Sequence, residues 1–476
     1  MPALHLSTRG GAPEPIRAGL ERLRDGLEVP AGFPRDVLAE AERAASAVTL
    51  PDRDRTDLPL VTIDPPGSTD LDQAVFIERD GAGYVVWYAI ADVGSFVTPG
   101  GAIDAEAHER GVTLYAPDGR TPLHPPVLSE GAASLLPGEV RPALLWAHRL
   151  DADGQAVSTT VQRVRVRSRE QLTYAGVQEA LDAGTASENL QLLREVGRKR
   201  EALEIARGGV SLQIPEQEVR VTAGGGWELE FRQTLPVEGW NAQVSLLTGM
   251  QAAGIMLEAK VGILRTLPPA QQYGIDKLRR VAKGLHIAWP ASLGYPEFVR
   301  SLDPTRPQHL AMLNACTALF RGAGYAAFDG EVPGQPLHGA MNTAYAHATA
   351  PLRRLVDRYV GEACVALCAG EAVPEWVREQ LAELPSVMGR ATQRANQYER
   401  GILNLVEALV LADRVGETFT GTLVEWNAKN DDGEIQLDVP AVAAPLKGGH
   451  PRLGDEVAAR LVQADVRTGE VEFRLG

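Results

Sequence analysis

Cysteine is scarce in this chain: three in 476 residues, Cys316, Cys364 and Cys368, and no CxxC pair. Cys364 and Cys368 lie four apart in VGEACVALCAG, the spacing of one helix face, which favours a buried face over a redox or zinc site and fits a reducing compartment. Long apolar runs are missing as well. The opening residues MPALHLSTRGGAPEP hold no signal-peptide core, and no later segment approaches ~18 uninterrupted apolar residues, so a cytoplasmic protein with no membrane contact is expected. Positive charge is in deficit, with 47 Lys and Arg against 62 Asp and Glu, a net charge of −15 and a pI near 5.2. That balance excludes a protein that coats itself on nucleic acid through bulk charge; any such contact must be local. Internal repeats and low-complexity segments are also absent.

What is present is a globular composition, 44% hydrophobic and 23% charged, in a chain long enough for two or three domains. Residues 14–28 (EPIRAGLERLRDGLE) and 34–48 (PRDVLAEAERAASAV) space their apolar positions near 3.6, with Gly32 and Pro34 between them, which predicts a small helical domain over 1–56. The polar, proline-bounded LPDRDRTDLP follows as a linker. Over residues 60–166 short apolar runs such as GYVVWYAIADVGSFV alternate with Gly and Pro turns and predict strands. Over 170–413 helical periodicity dominates, as in IDKLRRVAKGL and QHLAMLNACTALFR. Residues 414–476 return to short strands at roughly ten-residue spacing, the signature of a small barrel. The expected class is α+β: a catalytic domain over 57–413 with a mixed or antiparallel sheet core and a large helical part, a closing OB-fold barrel and the helical head.

Two stretches carry the charge chemistry. VQRVRVRSRE repeats Arg163, Arg165, Arg167 and Arg169 at period two, one face of a strand; an edge face kept wet by charge and an RNA-facing stripe both fit. TIDPPGSTDLDQA places Asp64, Asp70 and Asp72 around a stiff Pro65-Pro66-Gly67 turn. On a strand Asp70 and Asp72 share a face, and two carboxylates about 6 Å apart repel by roughly 2–3 kcal/mol at an effective dielectric of about 20, so a partly buried pair needs a neutralising group. An all-oxygen set selects Mg²⁺ or Mn²⁺ over zinc. Solvated loop acids are the commoner meaning of such a cluster, but HATAPLRRLVDRYVGEA supplies a cationic counterpart. There Thr349 and Pro351 are expected to open a helix with Arg353 and Arg354 in its first turn, against the dipole unless an anion is bound. Acids that hold a metal and arginines that hold an anion together suggest phosphoryl transfer.

In these motifs the chain resembles the ribonuclease II and ribonuclease R family, the processive 3′→5′ exoribonucleases with an RNB catalytic domain. Ile63-Asp64 and Asp70-Leu71-Asp72 resemble the family's Ile-Asp followed by Asp-x-Asp-Asp. YAIADVGSFV, ERGVTLYAPDGRTPLHPPVLSEGAASLLPGE and HGAMNTAYAHATAPLRR resemble further family blocks in the same order. The resemblance implies Asp64, Asp70 and Asp72 as metal-centre residues, with Asp72 the most sensitive to loss, and Arg353 stabilising charge on the scissile phosphate with Arg354 beside it on the RNA. It implies Tyr115 stacking on the 3′-terminal base and Tyr174 beside the ribose 2′-hydroxyl, with Gln243 where the family has a glutamate. Mg²⁺ (Mn²⁺ in its place), single-stranded RNA, a monomer and a two-metal attack by water follow from the same likeness. The chain departs from the family at Gln73, which stands in place of a fourth aspartate as a candidate metal residue whose amide can donate or weakly ligate but brings no negative charge, and at Asn396 and Gln397, where acids are usual. Residues 1–56 are too few for the family's two cold-shock domains, so the helical head, a helix-turn-helix variant, is expected to guide RNA. The expected function is Mg²⁺-dependent processive 3′→5′ degradation of single-stranded RNA to 5′-nucleoside monophosphates. The alternative, motivated by Gln73, is a catalytically impaired RNB protein that binds RNA 3′ ends.

Overall fold

A six-stranded mixed sheet organises the chain, in the order Ala156–Arg167, Val140–Leu150, Gly83–Ala91, Gln73–Asp80, Val61–Asp64, Glu170–Thr173. Neighbours run antiparallel except the last pair, Val61–Asp64 with Glu170–Thr173, which is parallel. The computed structural model describes residues 5–6, 14–212, 214–221, 227–427, 430–437, 439–440, 442–449 and 451–475. Both faces of the sheet are covered, which is why GYVVWYAIA is apolar without alternation. On one face Val75, Tyr88, Trp146 and Val161 lie side by side across four strands and are buried under the helices Glu188–Ala206, Pro236–Ala259 and Leu355–Cys368. The first two of those helices touch closely: a Cβ on Gly197 would lie 2.4 Å from that of Trp240, so only glycine fits there. On the other face Ala74, Ala89 and Leu145 pack with Val37 and Ala41 of the helix Arg35–Ala47.

The chain ends in a closed five-stranded barrel, Thr418–Asn427, Asp432–Leu437, Ala443–Lys447, Glu470–Leu475, Glu456–Asp465. Its core includes Phe419 and Phe473, edge to face at 5.6 Å, a favoured aromatic geometry. The 28-residue helix Leu384–Leu411 lies against it through Leu405, Val406 and Leu411, and Ile16 and Leu20 of the helix Glu14–Gly26 join the same cluster.

The two N-terminal helices fall where their periodicity puts them, but they share no common core: the first packs on the barrel cluster and the second on the sheet. The helical stretch of the chain also contains strand pairs, Glu216–Val221 with Trp227–Arg232 and Val261–Thr266 with Gly324–Asp329. Three of the four arginines named are engaged within the protein, Arg163 and Arg165 partly exposed on the edge strand and Arg169 exposed just beyond its end. Arg163 bridges Asp92 and Glu362, Arg165 pairs with Asp54 at 3.0 Å, and Arg169 donates to Thr56 O at 2.8 Å. Cys316 and Cys364 are buried and Cys368 partly so. Among the described residues no helix is long and apolar enough to cross a membrane.

Candidate active site

Asp64 ends the strand Val61–Asp64, and the chain turns at once through Pro65-Pro66-Gly67, where Gly67 takes φ +84° and the Ser68 N–H donates to Pro65 O at 3.2 Å. Glycine adopts that φ without strain, and proline presets the turn before it. The sheet strand resumes at Gln73, so Asp70 and Asp72 lie just ahead of it rather than within it. Their alternation survives. Leu71 is fully buried in the core, its N–H bonded to Ser134 Oγ at 2.9 Å, while Asp70 and Asp72 turn to the other side.

The arginines sit in a turn, not in a helix. The helix begins at Leu355, with Arg354 as its N-cap, so Thr349 and Pro351 do not open it. The cause is Asp357: its Oδ1 accepts the Ala350 N–H at 2.7 Å, and Arg354 grips the carboxylate through Nε at 2.5 Å and Nη2 at 2.7 Å. That folds residues 350–354 back, with the Arg353 and Arg354 N–H groups both on Ala350 O. Asp357, in the first turn of the helix, also favours the positive end of its dipole.

The turn docks on the acidic loop. Asp72 Oδ1 accepts the Leu352 N–H at 2.8 Å, and its Oδ2 accepts from Arg353 Nε at 3.2 Å. The Arg353 side chain is half exposed, and its terminal nitrogens have no protein partner among the described residues. Asp72 is 4% exposed; loss of water pushes its pKa up to about 7 against the pull of Arg353 and the Leu352 N–H. Asp64 is pushed up to about 6, first by burial, against the pull of the neighbouring Thr62 hydroxyl and of Arg353, with the charge of Asp70 adding to the rise; among the described residues its buried Oδ2 has no hydrogen-bond partner. Asp70 is tied to Arg120 Nη1 at 2.5 Å and accepts from the Tyr115 hydroxyl at 3.3 Å. The sequence reading missed Arg120.

Burial with little countercharge, and a buried carboxylate oxygen without a partner among the described residues, suit a site that binds a cation. The donor chemistry is all oxygen. Among the described residues no three acidic, His or Cys side chains converge closely enough to cage an ion by themselves. A hard cation such as Mg²⁺ needs only one or two carboxylates, the rest of its octahedron being filled by waters and substrate phosphate. Of Asp64, Asp70 and Asp72, one or two together could hold such an ion, Asp64 first through its buried Oδ2.

Gln73 stands apart from them. Its Nε2 donates to Thr349 O at 2.6 Å, and its Oε1 accepts from the Tyr88 hydroxyl at 2.9 Å, which in turn meets Ser245 Oγ at 2.8 Å. Both ends of the amide are engaged inside the protein, so it is not placed as a metal ligand. Tyr115, on the hairpin Leu114–Ala116 and Gly119–Thr121, is 41% exposed beside Asp70. Tyr174 begins the helix Tyr174–Asp182, and its hydroxyl accepts from Asn241 Nδ2 at 3.3 Å. Gln243 does not meet Tyr174: it lies two residues beyond Asn241 on the helix Pro236–Ala259 and donates to Glu204 at 2.5 Å. Arg354 is spent on Asp357. Asn396 and Gln397 line a cavity of about 430 Å³ with Arg265, Tyr325 and Arg400.

The model of the RNB domain matches residues 52–368, and that of the RNase II-type exonuclease C-terminal S1 domain matches residues 417–476. Ribonuclease R of Escherichia coli is 27% identical over 396 residues, covering 78% of this chain and 48% of its own length, so the chain spans about half of that relative. Among solved structures, Mycoplasma genitalium RNase R in complex with ribose-methylated single-stranded RNA superposes with a TM-score of 0.86 at 18% identity over 97% of this chain and 78% of its own. Yeast Ssd1, a pseudonuclease, does so with a TM-score of 0.68 at 16% identity over 86% of this chain and 53% of its own. At those identities the likeness is one of fold.

Proposed function

The chain belongs to the RNB-domain ribonuclease family, and from that premise we propose that it is a Mg²⁺-dependent exoribonuclease that shortens single-stranded RNA processively from its 3′ end and releases 5′-nucleoside monophosphates. The observation that carries the reading is the junction of the two motifs: Arg353, held through Nε by Asp72, has terminal nitrogens with no partner among the described residues and acts electrostatically on Asp64, whose buried Oδ2 likewise has none there. A half-exposed guanidinium anchored at one edge suits a phosphate on the other. Charge developing on the scissile phosphate would be met by a donor already in place, which needs no reorganisation during reaction. When bound, Mg²⁺ would lower the pKa of the attacking water and neutralise phosphate charge. Tyr115 offers an exposed ring for the terminal base, and Tyr174, oriented by Asn241, offers its hydroxyl to a ribose 2′-OH. RNA approaches an acidic protein here through local groups rather than bulk charge, in a compartment taken to be the cytoplasm, and the protein is taken to work as a monomer.

The test is a 5′-labelled single-stranded oligoribonucleotide incubated with the protein and Mg²⁺, with and without chelator. Stepwise shortening from the 3′ end that stops with chelator is expected; no metal-dependent shortening overturns the reading. A second reading, RNA 3′-end binding without cleavage, is favoured by the engaged Gln73 amide and by the fold likeness to a pseudonuclease. In the same assay it predicts a retained, uncut complex.

A further inference from the structure

Gln73 is the departure from the family pattern that a reading by motif treats as a loss. The geometry points to a gain. Thr349 O is an acceptor only, so the Gln73 atom 2.6 Å from it must be a donor; the other end of the same side chain accepts from the Tyr88 hydroxyl. A carboxamide supplies a donor and an acceptor at once. A carboxylate supplies acceptors alone and would set two oxygens against each other at the Thr349 end, in a partly buried place where that repulsion is little screened.

We infer that Gln73 is a positioning residue, which fastens the arginine turn to the acidic loop and so fixes Arg353 over the reacting phosphate. Four bonds hold the backbone of the turn, among others: Gln73 on Thr349 O, Asp357 on the Ala350 N–H, Asp72 on the Leu352 N–H, and the Thr113 N–H on Arg353 O at 3.0 Å. Gln73 and Asp72 are adjacent in sequence and hold the turn from its two sides, so the loop and the turn move as one piece. Tyr88 lies on the neighbouring strand, bonded in turn to Ser245 of the helix Pro236–Ala259, and ties that piece to the sheet and to the helix above it. The inference rests on the exoribonuclease reading for its kinetic consequence, but the fastening itself is a property of the fold.

Gln73→Glu, which preserves length and removes the donor, is compared with the wild type and with Gln73→Asp, which installs the family residue. Expected for Gln73→Glu are kcat at least tenfold lower, KM for RNA within twofold, and an unchanged Mg²⁺ midpoint. In an Arg353→Ala background the same change should alter kcat by less than twofold, because the group being positioned is gone. Gln73→Met, neutral and without hydrogen bonds, should lower kcat in the same direction and serves if the charged variants fold poorly. Amide hydrogen exchange of the metal-free protein provides a readout without turnover: residues 349–354 should exchange at least tenfold faster in Gln73→Glu and Gln73→Met. Equal or faster turnover, or a lower Mg²⁺ midpoint, in Gln73→Glu or Gln73→Asp would show a vacated ligand position and overturn the inference, as would unchanged exchange. A wild type that cuts no RNA defeats the exoribonuclease reading alone, and exchange still decides the fastening.

Discussion

Asp72→Asn keeps the side chain's shape and an acceptor for the Leu352 N–H but removes the charge. In metal-free protein that charge is a liability, because the carboxyl titrates near 7 in the fold and near 4 in the unfolded chain. Between those values the folded state holds a proton that the unfolded chain has released. Stability therefore falls as pH rises through the window, by about 1.4 kcal/mol per pH unit and roughly 4 kcal/mol in all. The Asn variant has no such loss. Its bond to Arg353 is lost, because the amide nitrogen that replaces Oδ2 is a donor facing the Nε donor, but that guanidinium is half exposed and can turn to water, so the cost is small and nearly independent of pH. The stability difference, variant minus wild type, should thus grow by up to about 4 kcal/mol from pH 4 to pH 8. A body this large shifts its melting point by about 2 °C or less per kcal/mol, so the two melting temperatures should diverge by roughly 5–8 °C. Thermal melts of both proteins in chelator at half-unit pH steps measure it, and contributions common to both cancel. A difference that stays flat from pH 4 to 8 would refute the reasoning, since Asp72 would then carry its charge without penalty. With Mg²⁺ and RNA the same variant should lose at least a hundredfold in cleavage rate.

His148 is fully buried between Thr159 and Thr248, and burial pushes its pKa down to about 3. The unfolded chain takes up its proton first, so stability should fall as pH drops from about 6.5 towards 3 by about 1.4 kcal/mol per unit, and His148→Gln should hold its melting temperature further into acid. Asp357→Ala leaves the partly buried Arg354 and the Ala350 N–H without their carboxylate and frees the turn; a loss of about 3–5 kcal/mol in urea denaturation is expected, and under 1 kcal/mol would mean that water replaces the carboxylate. Tyr115→Ala removes a stacking platform worth about 1–3 kcal/mol per base, so binding of short RNA 3′ ends should weaken roughly tenfold to a hundredfold, with unchanged binding counting against the role.

The local features were legible. Strand, turn and barrel periodicities came through, as did the helix faces, and Pro65-Pro66-Gly67 announced its own turn. What escaped depends on partners distant in sequence. Arg120 reaches Asp70 across 50 positions, and nothing in GRT marks it as that partner. The helix expected at Thr349 starts at Leu355 because Asp357 binds back to Ala350, a contact that competes with helix propensity. Gln243 was aligned to Tyr174 by family position, whereas two residues along a helix turn a side chain by about 200°, and Asn241 faces the tyrosine instead. The strand Val261–Thr266 pairs with Gly324–Asp329 beyond several helices, a separation that hairpin signals do not cover. The two N-terminal helices could be found from their stripes, but a stripe does not name what it packs on.

The cluster shared by the first helix, the long helix Leu384–Leu411 and the barrel bears on recombination between relatives. The two family models stop at residue 368 and resume at 417, and the long helix falls between them. A chimera cut at those borders would graft a foreign barrel onto Leu405, Val406 and Leu411 while Ile16 and Leu20 still expected the native one. The transplantable piece is therefore the long helix and the barrel that follows it together with the distant first helix, and crossovers that inherit them together are the ones that should yield soluble hybrids.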